Sequence, residues 1–279
     1  MTVESRTLAN ICRLPPRRSA RWVPLVAALC LALAATAQAA VIRVIDAGVA
    51  GNVGVVSAVT SLNALGHTVS TGGTLADYSA FDQVWDLRYQ SNLTSDDVSA
   101  FDTYLEGGGR VYLTGENPSF DALRNGSLRT FLAAVGAGDV SYGSAVASNA
   151  QTFTAEGEAL RAPNPLAGVA YVGARTVVDA GNGFLVTESS PGAGGSMVAW
   201  DFDDIGGADD ARMIALWDID IFRATTGNGQ AWVENIVSFL GAAPPAVDPP
   251  GSVPEPPMFT LAVLALAGLG VTRRLRLRR

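Results

Sequence analysis

The sequence predicts an α/β protein of three layers, in which helices cover both faces of a mostly parallel sheet. Short apolar runs alternate with helical patterns in the first half of the chain, an order typical of parallel sheets. Residues 41–47 (VIRVIDA) and 110–115 (RVYLTG) are apolar runs typical of buried strands. The segment NGQAWVENIVSFLG has the apolar spacing of an amphipathic helix that closes the domain.

The remaining elements of the first half follow in order. Apolar residues have helical spacing over residues 55–65, and Gly66 is a suitable C-cap for that helix. TVST (68–71) and FDQVWDL (81–87) are the next two predicted strands. Thr94 is a candidate N-cap for a second helix, which has acids in its first turn and glycines at its end. The buried strand RVYLTG follows it.

The second half of the domain is less regular. Strand-like runs lie between glycine-rich turns at residues 151–155, 169–178, 183–188 and 196–202. RMIALWDIDIF (212–222) predicts a final central strand that continues to Phe222.

Three segments resemble the class I glutamine amidotransferase-like, or flavodoxin-like, fold: FDQVWDLR followed by a helix, YLEGGGRVYLTGEN, and MIALWDIDIF with NGQAWVENIVSFL. The resemblance covers most of residues 41–241. It implies that the turn after RVYLTG is a nucleophile elbow, which carries a cysteine partnered by a histidine in the enzymes of that family. In this chain the turn reads Gly115-Glu116-Asn117-Pro118 and contains no cysteine. This difference argues against amidotransferase or protease activity.

Histidine and cysteine are too scarce for nucleophilic catalysis. Both cysteines, Cys12 and Cys30, lie in the predicted leader, so the mature chain has neither a thiol nucleophile nor a disulfide. His67 is the one histidine, and it lies between a helix and a strand, at the end of the sheet opposite the usual site. We therefore expect it to have a structural role, without a Ser-His or Cys-His pair.

The amino-terminal residues predict export. Residues 1–39 contain arginines, an apolar run over 23–35 and the small-residue pattern Ala37-Gln38-Ala39, as secretory signal peptides do. We expect the Sec machinery to export the chain and a peptidase to cut it before Ala40. An uncleaved membrane anchor is the alternative, although the apolar run is short for a span.

The carboxyl-terminal residues form a tail of three parts. Residues 244–257 are a proline-rich linker, residues 258–272 are mostly apolar, and residues 273–279 contain five arginines. The apolar part would measure about 22 Å as a helix, whereas a bilayer core is about 30 Å thick. The arginines would keep the end on the cytoplasmic side of the membrane.

This tail resembles the PEP-CTERM sorting signal of Gram-negative bacteria. The resemblance is carried by Val253-Pro254-Glu255-Pro256, the apolar segment, and an arginine cluster that begins at Arg273 and Arg274. It implies processing by an exosortase, a transient anchor in the inner membrane, and then display at the cell surface or release, in bacteria that often make exopolysaccharide. An ordinary membrane anchor is the alternative.

The charge of the mature chain excludes one class of partner. Residues 40–252 contain 24 acids and 9 arginines, a net charge of 9 − 24 = −15, and the whole chain contains no lysine. Such a domain is not expected to bind nucleic acid. Its acidity is compatible with divalent cations or neutral sugars as partners, and equally with solubility alone.

Polar side chains follow the predicted strands, at the edge where open parallel sheets bind ligands. The candidate crevice contains Asp46, Asp86, Arg88, Glu116, Asn117, Asp218 and Asp220. Crowded carboxylates share protons, hold a cation or perform glycosidic acid/base catalysis, in which Glu116 would act with Asp86 or Asp218. The structural alternative is that these acids cap helices and pair with Arg88, Arg124 and Arg175.

The densest acidic stretch, DFDDIGGADD (201–210), begins like a calcium loop but has Ile205 at a ligand position. A weak Ca²⁺ site would use Asp201, Asp203, Asp204 and Asp209. A solvated acidic loop is the alternative.

Aromatic side chains offer surfaces on which sugars stack, although core packing is the default for most of them. The candidates are Trp85, Trp200, Trp217, Trp232, Tyr89, Tyr104 and Tyr112. The sequence as a whole favours an exported, surface-sorted, non-catalytic binding or structural module, and the resemblance of the tail to a sorting signal is what associates it with exopolysaccharide or other matrix components. A carboxylate-dependent hydrolase is one alternative, and a module that binds small metabolites in the crevice without reacting with them is another.

Overall fold

The computed structural model describes residues 39–145, 150–223 and 228–244. The predicted signal peptide, except for Ala39, and the sorting motif, apolar segment and basic tail lie outside these residues. The strands are β1 Val41–Ile45, β2 Thr68–Gly72, β3 Gln83–Asp86, β4 Arg110–Thr114, β5 Val140–Ala145, β6 Ala150–Phe153, β7 Val169–Ala170, β8 Arg175–Ala180, β9 Phe184–Leu185, β10 Thr187–Glu188, β11 Met197–Trp200 and β12 Arg212–Leu216. The α-helices are α1 Val53–Ala64, α2 Ser95–Glu106, α3 Gly126–Ala134 and α4 Gly229–Gly241.

The central sheet has seven strands in the order β2-β1-β3-β4-β12-β11-β9. The first five are parallel to one another, which confirms the predicted parallel sheet. Their order corresponds to that of flavodoxin-like folds. β11 and β9 extend the sheet in antiparallel orientation, and the remaining strands form small sheets of their own. The sequence predicted strands in this half of the domain but not this antiparallel edge.

Helices cover both faces of the sheet, as the three-layer prediction requires. α1 and α4 pack on one face, where Leu62 and Trp232 join the core with Trp85 from β3. α2 and α3 pack on the other face, where Phe101 and Phe131 join Val111 from β4. Alternate residues of β1, β3, β4 and β12 enter the two cores, so these four strands are buried on both sides, whereas the edge strand β2 is polar and mostly exposed.

The helix boundaries predicted from local signals agree with the structure. The hydroxyl of Thr94 accepts from the backbone N–H of Asp97, whose carboxylate accepts from the backbone N–H of Thr94. This capping box begins α2, and Gly107 ends it. At the end of α1, Gly66 has a φ of 87°, a backbone conformation that favours glycine.

The predicted strand over 212–222 is too long. β12 ends at Leu216, and residues Ile219–Phe222 form a 3₁₀ helix instead. The cause is Asp218, whose carboxylate accepts from the backbone N–H of Asp220 at 2.9 Å and thereby replaces a ladder partner. Asp218 and Asp220 therefore lie in a capped turn after the strand rather than at its end.

We predict that Gly54→Ala destabilises the fold, since α1 begins in close contact with this turn. A Cβ atom on Gly54 would lie 2.3 Å from the carbonyl oxygen of Ile219, so backbone would have to move. The expected loss in the free energy of unfolding is about 1–3 kcal/mol, measured by urea denaturation. Gly51→Ala is the matched control, because a Cβ there meets no atom within 4 Å. Equal effects of the two substitutions would contradict the prediction.

Candidate functional site

The residues predicted for the crevice end or follow β1, β3, β4 and β12 at the carboxyl edge of the sheet, but they do not form one cluster of acids. Asp86 lies in a buried ion-pair network with arginines. Glu116, Asp218 and Asp220 form a second group, in which the negative charges of Asp218 and Asp220 act on Glu116. Asp46 directly follows β1 and is 9% exposed. The residues predicted to line one crevice therefore lie in two separate environments, one around Asp86 and one around Glu116.

Asp86 is fully buried and is held by two arginines. Nε and Nη2 of Arg88 donate to its two carboxylate oxygens at 2.9 and 2.8 Å, and Nη2 of Arg124 lies 3.2 Å from Oδ2. Asp97 extends the network, with Oδ2 3.4 Å from Nη1 of Arg88. Burial opposes ionisation, but the charges of Arg124 and Arg88 outweigh it and lower the pKa of Asp86. This geometry favours the structural alternative for Asp86 over a partnership with Glu116.

Glu116 lies in the turn after β4, and Asn125 fixes the backbone of that turn. Oδ1 of Asn125 accepts from the Glu116 N–H at 3.0 Å, and its Nδ2 donates to the Glu116 carbonyl at 2.8 Å. Glu116 does not have a positive φ, because the one non-glycine residue with a positive φ in the described ranges is Asp203, at 70°. Glu116 therefore does not have the strained backbone of a nucleophile elbow, which the resemblance to amidotransferases implies for this turn.

Asp218 is fully buried, and both of its carboxylate oxygens accept backbone N–H groups. Oδ1 accepts from Asp220 at 2.9 Å, and Oδ2 accepts from Val172. The side chain therefore ties the turn after β12 to the loop before β8. This is the role of a structural cap, the alternative to a binding or catalytic role for these acids.

The carboxyl groups of Glu116 and Asp218 both have raised pKa values. Burial raises the pKa of Glu116 to about 7; the Asn117 N–H opposes this shift, and the charges of Asp218 and Asp220 reinforce it. Burial also raises the pKa of Asp218 to about 6, against the hydrogen bonds from Val172 and Asp220. A carboxyl group that is protonated near neutral pH can donate a hydrogen bond or a proton.

A half-buried aromatic pair lies at the same edge. The rings of Tyr89 and Phe120 meet edge to face, with centroids 5.8 Å apart. Nδ2 of Asn52 donates to the Tyr89 hydroxyl at 3.0 Å, and Nε2 of Gln90 donates to it at 2.9 Å. The same Asn52 caps α1 through its Oδ1, which accepts from the Gly54 N–H at 2.8 Å. Amides from two loops therefore hold the Tyr89 ring in place.

Tyr89 is a sequence-predicted candidate for sugar stacking, whereas Asn52, Gln90 and Phe120 are not among the predicted residues. Asn52 and Phe120 reach the ring from other loops, so spacing along the chain gives no signal for them. The other six aromatic candidates are buried, which confirms the default of core packing: Trp85, Trp200, Trp217, Trp232, Tyr104 and Tyr112.

The acidic loop at 201–210 does not assemble the proposed calcium site. Asp201 pairs with Nε of Arg212 at 2.6 Å, and Oδ2 of Asp204 accepts from the Asp201 N–H at 2.8 Å. The backbone N–H of Asp203 donates to the carbonyl of Asp209. Across the described residues, no three His, Cys, Asp or Glu side chains are grouped in a way that could hold a metal ion. The loop is closed by its own hydrogen bonds.

His67 lies at the amino edge of the sheet, where the sequence predicted it. Its Nδ1 accepts from the backbone N–H of Ala40 at 3.1 Å. Burial lowers the pKa of its imidazole, and the nearby charge of Glu234 opposes that shift.

No helix in the described ranges is long and apolar enough to cross a membrane.

Known proteins resemble this chain in structure but not in sequence. No protein family and no curated protein sequence matches the chain. The mmIFT52 N-terminal domain aligns with a TM-score of 0.57 at 9% identity, covering 74% of this chain and 100% of that one. A ThuA-like protein from Parabacteroides merdae aligns with a TM-score of 0.51 at 10% identity, covering 78% of this chain and 95% of its own. The fold is glutamine amidotransferase-like.

A third solved structure agrees with this fold. A cytoplasmic protein from Salmonella typhimurium has a TM-score of 0.52 at 10% identity, covering 72% of this chain and 98% of that chain. The predicted amidotransferase-like, parallel-sheet architecture is therefore confirmed. At such identities the likeness concerns the fold alone, so function must be argued from the residues of this chain.

Proposed function

We propose that this protein is an exported, non-catalytic module that binds neutral polysaccharide at the carboxyl edge of its sheet. The amino-terminal pattern over 1–39 and the tail over 253–279 support export, exosortase processing and a position at the cell surface. The proposed ligand class follows from that location and from the side chains at the carboxyl edge. The net charge of the mature chain disfavours nucleic acid and acidic polymers.

The observation that carries the proposal is the Tyr89–Phe120 pair with its flanking amides. A half-buried aromatic ring offers an apolar face on which the C–H surface of a sugar can stack. Amides and carbonyls around the ring can form hydrogen bonds with the hydroxyl groups of the sugar. Tyr89 is pre-organised, because Asn52 and Gln90 both donate to its hydroxyl. A ring that is already fixed loses little conformational entropy when a ligand binds.

The arrangement of the acids supports binding without cleavage. Asp86 is neutralised by Arg88 and Arg124, and both oxygens of Asp218 accept backbone N–H groups. Glu116 is 6% exposed, so little of its carboxyl group is available to a substrate. A glycosidase needs two accessible carboxyl groups on either side of the scissile bond.

A hydrolase that uses Glu116 with Asp218 is the second candidate. It is favoured by one observation, the pKa of Glu116 at about 7, which suits a general acid. The burial of Asp218 argues against it, because that carboxylate is fully buried and both of its oxygens already accept backbone N–H groups. Product analysis with the host polysaccharide separates the two candidates. Release of reducing ends that disappears in Glu116→Gln would support the hydrolase.

We predict that Tyr89→Ala weakens binding to the exopolysaccharide of the host by at least about tenfold, a loss of about 1.4 kcal/mol. Tyr89→Phe keeps the ring but loses the two hydrogen bonds that fix it, so its affinity is expected to lie between those of Tyr89→Ala and the wild type. Val178→Ala, at a site with 51% exposure on β8, is the control and should bind unchanged. Titration calorimetry measures all four proteins. Equal affinity of Tyr89→Ala and the wild type would contradict the proposed surface.

A further inference from the structure

A cavity of about 610 Å³ lies at the amino edge of the sheet, opposite the proposed polysaccharide surface. The side chains of His67, Asp82 and Glu234 line it, together with Ala39 and Ala40. His67 comes from the turn after α1, Asp82 precedes β3, and Glu234 belongs to α4. Three separate elements therefore converge on the residues that precede β1.

Hydrogen bonds fix the backbone of residues 40 and 41, of which Ala40 lines this cavity. The Ala40 N–H donates to Nδ1 of His67 at 3.1 Å. The Val41 N–H donates to Oδ2 of Asp82 at 2.7 Å, and the Asp82 N–H donates back to the Val41 carbonyl at 2.8 Å. The nitrogen of Ala40 therefore has a fixed position and an imidazole acceptor 27 residues away in the sequence.

The lining of the cavity suits a cation. Two carboxylates, those of Asp82 and Glu234, line it, and none of the residues found to line it is an arginine. Because His67 accepts the Ala40 N–H at Nδ1, its proton is on Nε2 and the ring is neutral in this arrangement. Burial lowers the pKa of His67, which favours the neutral ring at neutral pH. A neutral acceptor next to two carboxylates binds an ammonium group more strongly than it binds the N–H of an amide.

Cleavage before Ala40 would convert its nitrogen into such an ammonium group. We propose that the cavity is a binding site for the α-ammonium group of the processed chain, with His67 as its acceptor and Asp82 and Glu234 as its counter-charges. This inference rests on the proposed removal of residues 1–39. Processing then adds a charged anchor at the start of β1, so that the mature chain is held more firmly than its precursor.

The absence of lysine allows a direct test. The α-amino group is the single primary amine of the processed chain, so an amine-reactive acetyl ester adds one label there. The protein is purified from its own host, and intact mass gives its first residue and the rate of labelling at pH 7.5. The reference is the same protein with Gly-Ser-Gly inserted after Ala39, which moves the amine away from the cavity.

We expect the native amine to react about sevenfold more slowly than the amine of the insertion variant. The carboxylates and His67 favour the ammonium form, and at pH 7.5 a pKa one unit above the ordinary value of about 7.8 leaves about sevenfold less free amine. His67→Ala and Glu234→Gln should each accelerate labelling several-fold. Asp96→Asn, at the opposite edge of the sheet on the first turn of α2, should leave the rate unchanged.

Results that differ from these expectations overturn the inference in distinguishable ways. A chain that begins at Ala40 but labels as fast as the insertion variant has no ammonium site, although its export stands. A first residue other than Ala40 removes both the proposed cleavage position and the site. If His67→Ala fails to fold, the labelling rates of Glu234→Gln and the insertion variant still test the ammonium site, because both proteins keep the imidazole. Equal rates in those two proteins and the wild type would overturn the proposal.

Discussion

Asp86→Asn is expected to lower the free energy of unfolding by about 3–5 kcal/mol, the largest effect of any substitution at the carboxyl edge. The change removes the carboxylate that pairs directly with both Arg88 and Arg124, so that Asp97, 3.4 Å from Arg88, is the carboxylate left in the network, and Arg124 is fully buried. Breaking a buried pair leaves an uncompensated charge, which is far more costly than the loss of a surface pair. Urea denaturation at pH 7 measures the effect.

Two further variants make this prediction specific. Glu158→Gln breaks the exposed pair with Arg161 and is expected to cost less than about 1 kcal/mol. Adding Arg124→Met to Asp86→Asn should recover part of the loss, because the stranded cation is removed. If Asp86→Asn unfolds like the wild type, Asp86 is not the centre of an ion-pair network, and a catalytic role for it becomes tenable again.

Glu116→Gln is expected to stabilise the protein at pH 8 by about 2–3 kcal/mol while changing its stability little at pH 4. In the folded chain burial raises the pKa of Glu116 to about 7, from an ordinary value of 4.5. The protonated form therefore favours folding: its contribution is complete below about pH 4.5 and is lost as the pH rises through about 7. A shift of this size corresponds to about 3 kcal/mol at 1.4 kcal/mol per unit.

The measurement is the free energy of unfolding between pH 4 and pH 8 for wild type and variant. The wild type should lose stability over this range, and the variant should lose less. Part of the slope should remain in the variant, since the pKa of Asp218 is also raised, to about 6. Glu106→Gln, at an exposed position on α2, is the control and should follow the wild-type profile. Superimposable profiles for Glu116→Gln and the wild type would contradict the assigned burial and charge environment.

The first half of the fold was predictable because its signals are local. The capping box of Thr94 and Asp97 lies within four residues, and Gly66 ends α1 through its own backbone conformation. The antiparallel edge was not predictable in the same way. β9 has two residues, and its place is decided by pairing with β11, which in turn pairs with β12. Such short strands depend on tertiary contacts rather than on their own pattern.

The candidate site was predictable in its location but not in its grouping. The rule that parallel strands end at one edge predicted Asp86, Glu116 and Asp218 at the carboxyl edge, where Asp86 ends β3 and the other two follow β4 and β12. It could not separate them, because Arg124 comes from a short π-helix (Asp121–Asn125), 38 residues after Asp86 in the sequence, and pairs with it. The 3₁₀ turn that buries Asp218 was also hidden, since residues 212–222 have the apolar composition of a strand.

The central claim is that this chain is an exported module that works outside the inner membrane. Intact mass of the protein from its own host, and from the same host lacking its exosortase, tests that claim most directly. The account predicts a native form that begins at Ala40 and ends near Pro254-Glu255-Pro256, whereas the host without exosortase retains the tail. A protein that keeps every residue through Arg279 in both hosts would contradict it, and the argument for a polysaccharide partner would lose its basis in location.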